Sequence, residues 1–104
     1  MVKKILKFSA TWCAPCKAFE ATLNKLKDTD DFKDIEIQSI NIEGDDDELD
    51  LVEKYQIRSV PTTILLDENG ETLYKVSGNI PMKDFASIVQ EINNKENKTN
   101  EDKA

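Results

Sequence analysis

The chain's two cysteines, Cys13 and Cys16, stand three residues apart at the junction between a β-favouring run and a segment with helical periodicity. Residues 2–8 alternate lysines with Val2, Ile5, Leu6 and Phe8 and read as a buried or half-buried strand, bounded by Ser9, Ala10 and Thr11. Phe19, Leu23 and Leu26 then recur at the i, i+4, i+7 spacing of one helical face. Pro15 lies in the first turn, where its missing N–H costs nothing and its fixed φ suits the helix. A Cys-x-x-Cys placed there has a physical logic. Cys13 falls at the helix cap, where unpaired N–H groups and the helix dipole stabilise a thiolate. Cys16 falls on the same face one turn inside, so the two sulfurs can meet within disulfide reach. Pro15 stiffens the loop between them. The pattern predicts an exposed outer sulfur that attacks and a shielded inner sulfur that resolves.

Composition narrows the alternatives. With 104 residues the chain is one domain, or one domain with a tail, and buries about two-thirds of its unfolded surface. It has no histidine, which removes Ser-His-Asp and Cys-His catalysis, His-ligated zinc and a haem axial histidine. Two cysteines cannot close a four-cysteine metal site within one chain. A zinc ion shared between two chains, or two inert core thiols, are the remaining alternatives to a redox pair. The formal net charge is −7, which opposes binding to nucleic acid. No apolar run is long enough to cross a bilayer, and the lysine-interrupted N-terminus lacks a signal-peptide core. A cytoplasmic chain is therefore expected, with thiols kept reduced and the cysteine pair redox-active.

The rest of the chain completes the pattern. A second strand is expected over residues 35–42, carried by Ile35, Ile37, Ile40 and Ile42. Asp45, Asp46, Asp47 and Glu48 crowd a helix N-terminus, where acidic groups favour the dipole. Their spacing is not that of an EF-hand loop. Leu51, Val52 and Tyr55 supply that helix's apolar face. A third strand (62–66) follows Pro61, and a fourth (71–76) follows the turn Asp67-Glu68-Asn69-Gly70, so the two form a hairpin. Pro81 opens a last helix with Phe85, Ile88, Val89 and Ile92 on one face. Residues 93–104 are polar apart from the terminal Ala104 and are expected to be a disordered tail beyond a domain of residues 1–92. The order β-α-β-α-β-β-α is that of an α/β layered domain with a mixed sheet.

At these residues the chain resembles the thioredoxin family. The hexapeptide Trp12-Cys13-Ala14-Pro15-Cys16-Lys17 is similar to the family's active-site motif, with Ala14 where glycine is commoner. The segment Ile57-Arg58-Ser59-Val60-Pro61-Thr62 is similar to the family's cis-proline segment. The turn ending at Gly70, followed by Gly78 after the last strand, is a third match in the family's order, so the resemblance covers residues 2–92.

The resemblance implies a protein-disulfide reductase with Cys13 as nucleophile and Cys16 as resolving thiol. It implies a substrate surface of Trp12, Pro15, Val60, Pro61 and Gly78, in which Val60's backbone pairs with an extended substrate segment and Gly78 leaves the groove open. No cofactor or metal is implied beyond the redox-active cysteine pair. The chain carries no nicotinamide or flavin fingerprint, so electrons must come from an external reductase such as thioredoxin reductase. The implied partners are disulfide-containing proteins met by a monomer, with neither nucleic acid nor membrane involved. A glutathione-dependent glutaredoxin-type reductase and a redox-independent binding module on the same fold are the alternatives.

Two departures from the family stand out. The chain begins at the strand that normally follows an extra strand and helix, so a minimal four-stranded sheet flanked by three helices is expected. Lys7 occupies the position of the family's buried aspartate, six residues before Cys13, and Ser39 stands where the family often has the paired lysine. Three roles are open to Lys7: a solvent-facing lysine, a cation near the thiols that favours a thiolate, or a neutral amine serving as base.

Overall fold

The computed structural model describes the backbone of residues 1–103 and the side chains of residues 1–94. The elements are β1 (Lys4–Ser9), α1 (Ala14–Leu26), β2 (Glu36–Asn41), α2 (Asp46–Lys54), β3 (Thr62–Leu66), β4 (Thr72–Ser77) and α3 (Met82–Lys103). Their order is the one the periodicities predict. They build a four-stranded sheet in the order β2-β1-β3-β4. β1 runs parallel to β2 and antiparallel to β3, and β3 runs antiparallel to β4. The sheet is therefore mixed, with β1 and β3 at its centre.

Strand alternation sends side chains to two cores. On one face Ile5 and Leu65 pack with Phe19, Leu23 and Leu26 of α1 and with Phe85 and Val89 of α3. The Phe85 ring meets Phe19 edge-on at 5.4 Å between centroids, and the tilted Phe32 ring lies 5.7 Å from it. Phe32 belongs to no periodic segment. The turns after α1 hold it, through its N–H to Thr29 O (3.0 Å) and the Ile35 N–H to its own carbonyl (2.9 Å). On the opposite face Leu6, Phe8, Ile40, Ile64 and Leu66 pack under Leu51 and Val52 of α2 and its C-cap Tyr55.

The acidic run at residues 45–48 is a helix start. Asp45 is the N-cap, its Oδ1 accepts the Glu48 N–H at 2.9 Å, and Glu48 Oε1 accepts the Asp45 N–H at 3.3 Å. This is a reciprocal capping box. The other Glu48 oxygen accepts the Asn41 N–H at 2.7 Å, which ties the end of β2 to α2. Asp45→Ala is expected to cost about 1 kcal/mol of stability by removing the cap. Urea denaturation of the oxidised protein measures this, and an unchanged midpoint would contradict it.

At the hairpin, Asp67 Oδ1 accepts the N–H groups of Asn69 (2.8 Å) and Glu71 (2.9 Å), and Gly70 takes φ +81°. Past Ile92, where the apolar stripe ends, α3 continues as helix to Lys103. No glycine or proline interrupts that stretch. Asn93 Oδ1 accepts the Val2 N–H at 3.0 Å and so joins the helix to the start of β1. Of the tail expected over residues 93–104, the side chains from residue 95 and all of Ala104 lie outside the described residues. Among the described residues no helix is long and apolar enough to cross a membrane.

Candidate active site

The junction of β1 and α1 positions the two cysteines. Cys13 is the N-cap of α1 in extended geometry (φ −92°, ψ 106°), with Pro15 in the first turn. The Cys13 N–H donates to Ala10 O at 3.1 Å, which closes the loop between strand and helix. Cys13 and Cys16 are joined by a disulfide, with their Cα atoms 5.3 Å apart. The two sulfurs are bonded to each other, so neither inert thiols nor a shared zinc site describes this state. Among the described residues no group of three or more Cys, Asp or Glu side chains is placed to hold a metal ion.

The expected contrast between an exposed and a shielded sulfur is absent. Cys13 is 4% exposed and Cys16 2%, because Ala10, Ile42 and Val60 pack around both. The asymmetry is electronic. The Cys16 N–H donates to Cys13 Sγ at 3.1 Å, inside the first turn of α1. A backbone donor at a helix N-terminus favours negative charge on that sulfur. No equivalent donor reaches Cys16 Sγ among the described residues.

The remaining residues singled out in the sequence lie as follows. Trp12 is 67% exposed, and its Nε1 donates to Glu43 Oε1 at 2.6 Å, which restrains the indole beside the disulfide. Pro15 is exposed. Half-buried Val60 packs against the cysteine pair, and the Val60–Pro61 peptide bond is cis. Gly78 donates its N–H to Pro61 O at 2.8 Å and takes φ +94°, a conformation that side chains disfavour. A Cβ there would meet nothing within 4 Å, so a side chain at this position would project into open space beside Pro61.

Lys7 does not point to solvent. It is 2% exposed and sits in the central strand β1, on the face covered by α1. Its Cα partners across the sheet are Ser39 on β2 and Thr63 on β3. A buried ammonium needs a partner. Lys7 Nζ finds one in Glu20 Oε2, 3.4 Å away. Glu20 went unrecognised in the sequence, where it is one of 21 acidic residues. The signal was its spacing: it lies four residues after Cys16 and three before Leu23, beside the buried stripe of α1.

The chain has known relatives. The family model for the thioredoxin-like domain matches residues 2–93. The thioredoxin of Staphylococcus epidermidis is 33% identical over 86 residues, covering 83% of this chain and 78% of that protein. The thioredoxin of Mycoplasma genitalium is 34% identical over 77 residues, covering 74% and 70% respectively. The crystal structure of Malassezia sympodialis thioredoxin superposes with a TM-score of 0.69 at 29% identity, covering 86% of this chain and 74% of that one. With a Cys-x-x-Cys disulfide capping the first helix of this fold, the chain belongs to the thioredoxin family and is a thiol–disulfide oxidoreductase.

Proposed function

We propose that the chain works as a reductant of protein disulfides. The observation that carries this reading is the Cys16 N–H donated to Cys13 Sγ at the helix N-terminus, which supports Cys13 as the better thiolate. In the reduced protein the Cys13 thiolate attacks a substrate disulfide. One substrate sulfur leaves as a thiolate and a mixed disulfide forms through Cys13. Cys16 then attacks Cys13 Sγ, the second substrate thiol departs, and the Cys13–Cys16 disulfide seen here results. The redox-active centre needs no further cofactor. An external reductase of the thioredoxin reductase class returns the pair to the dithiol.

Trp12, Pro15, Val60, Pro61 and Gly78 form the substrate surface in this reading. Trp12 presents an exposed, restrained ring, and Val60, joined to Pro61 by a cis bond, packs against the disulfide. An extended substrate segment pairs with Val60's backbone, and the open space at Gly78 admits it. The protein acts as a monomer in the cytoplasm.

Capture with Cys16→Ser tests this function. Without the resolving thiol, partners should accumulate as Cys13 mixed disulfides that a reductant releases, and Cys13→Ser/Cys16→Ser should capture none. Partners retained equally by the double variant would point to a redox-independent binding module instead. Turnover with glutathione and glutathione reductase, but not with thioredoxin reductase, would assign the glutaredoxin-type reaction.

A further inference from the structure

The resolving step requires Cys16 to lose a proton before it can attack, and the residues around it define where that proton can go. Cys16 and Glu20 line one cleft of about 380 Å³, together with Ser9, Thr11, Lys17 and Asn41. Glu20 is the one carboxylate on that wall. Ser9, Thr11 and Asn41 are neutral, and Lys17 carries a positive charge. Glu20 also borders a second cavity of about 220 Å³ with Lys7, Lys27 and Ser39. Its carboxylate is held by the ammonium of Lys7, 3.4 Å away on a residue 2% exposed. The sheet beneath offers no competing base. Ser39 and Thr63 flank Lys7, and Thr63 Oγ1 is buried without a hydrogen-bond partner.

We propose that Glu20 accepts the proton of Cys16 during the resolving step, with Lys7 as the residue that positions its carboxylate. Both groups border the cleft, and water within it would carry the proton from one to the other. The Cys16 S–H gives up its proton to Glu20, and the sulfur's electron pair forms the bond to Cys13 Sγ. The bond between Cys13 and the substrate sulfur breaks, and its electron pair leaves on that sulfur. The departing thiolate takes a proton from Glu20 or from solvent. The two cysteines are oxidised and the substrate sulfur is reduced. The inference rests on the dithiol exchange described above. It adds to it the acid–base group that the lysine at position 7 leaves unassigned.

Stopped-flow reaction of the fully reduced protein with the aromatic disulfide DTNB tests the proposal. Cys13 attack releases one thionitrobenzoate in a concentration-dependent phase, and Cys16 resolution releases the second in a concentration-independent phase. For Glu20→Gln at pH 7 the second phase is expected to slow about tenfold, below the usual range for a general base because the group is half-exposed and acts through water. The first phase should stay within about twofold. The deficit should shrink as pH rises and hydroxide replaces the carboxylate as base. Other charged groups facing Glu20 are Lys7 from β1, Lys17 from α1 and Lys27 at the C-cap of α1. β2 and β3 present Ser39, Asn41 and Thr63, which do not titrate in this range. Glu20→Asp should recover part of the loss and Lys7→Met should reproduce part of it, with the same pH signature. Glu20's side chain is 58% exposed, so the glutamine variant should fold normally, which urea denaturation checks. A second phase identical in Glu20→Gln and wild type from pH 6 to 9, or both phases slowed equally, would overturn the role of Glu20. Absence of any second phase in the wild-type protein would instead overturn the dithiol exchange, and the proposal with it.

Discussion

Cys13→Ser is expected to lower the reduction of protein disulfides by at least about 10³-fold, because it removes the group that forms the covalent intermediate. The hydroxyl does not ionise near neutral pH and is no substitute nucleophile for sulfur. The substitution is otherwise mild. Serine is a favoured N-cap, so its oxygen can still accept the Cys16 N–H that Cys13 Sγ accepts at 3.1 Å. The start of α1 should survive, and the loss should be chemical. Comparing both proteins in the reduced state removes the contribution of the disulfide to stability. The readout is the rate of thionitrobenzoate release from DTNB, or reduction of a disulfide-bonded protein followed by thiol labelling. Cys16→Ser, by contrast, should keep the first release and lose the second. A Cys13→Ser protein retaining more than a tenth of the wild-type rate would place the initial attack on Cys16 and reverse the assignment.

Phe85→Ala is expected to destabilise the protein by about 3–5 kcal/mol. Phe85 is 0% exposed at the point where α3, α1 and the turns after α1 converge. Its ring meets Phe19 edge-on at 5.4 Å and Phe32 at 5.7 Å, so truncation opens a cavity lined by two aromatic rings. Those rings belong to elements anchored elsewhere, which limits how far the site can collapse. A domain of this size is stable by only about 5–15 kcal/mol, so the variant should be near its folding limit. Urea denaturation of the oxidised proteins measures the change. A loss below about 1.5 kcal/mol would mean that α3 repacks into the space and that the aromatic contact is not what holds it.

Much of the architecture is legible as local pattern. The stripe of Phe19, Leu23 and Leu26, the proline in the first turn and the cysteine at the cap all describe α1 before any tertiary contact is known. The same holds for the turn at Asp67 to Gly70, where an aspartate side chain and a glycine at positive φ do local work. Phe32 was not legible in this way. It lies among turns with no period to mark it, and only the arrival of α3, more than 50 residues later, makes it a core residue. The strand order is likewise a long-range outcome. A hairpin signal pairs β3 with β4, but no local feature says that β3 also adds antiparallel to β1 and so places β1 at the centre.

The site divides along the same line. Residue types and spacing were enough to identify the cysteine pair, its place at a helix cap and the kind of chemistry two sulfurs can perform, because those depend on contacts within four residues. The state of Lys7 did not follow from its neighbours in sequence. A lysine in an amphipathic strand faces solvent or the core depending on which elements cover each face, and here α1 covers the face it occupies. Its partner Glu20 looked like any surface acid until the helix was docked with that carboxylate above the strand. The even burial of Cys13 and Cys16 has the same origin, since Ile42 and Val60 come from other segments to cover both. Capping, turns and the disulfide loop are short-range and are written in the chain. Burial, strand order and the Lys7–Glu20 charge pair arise only when distant segments meet, because desolvation is set by what packs over a residue and not by what precedes it.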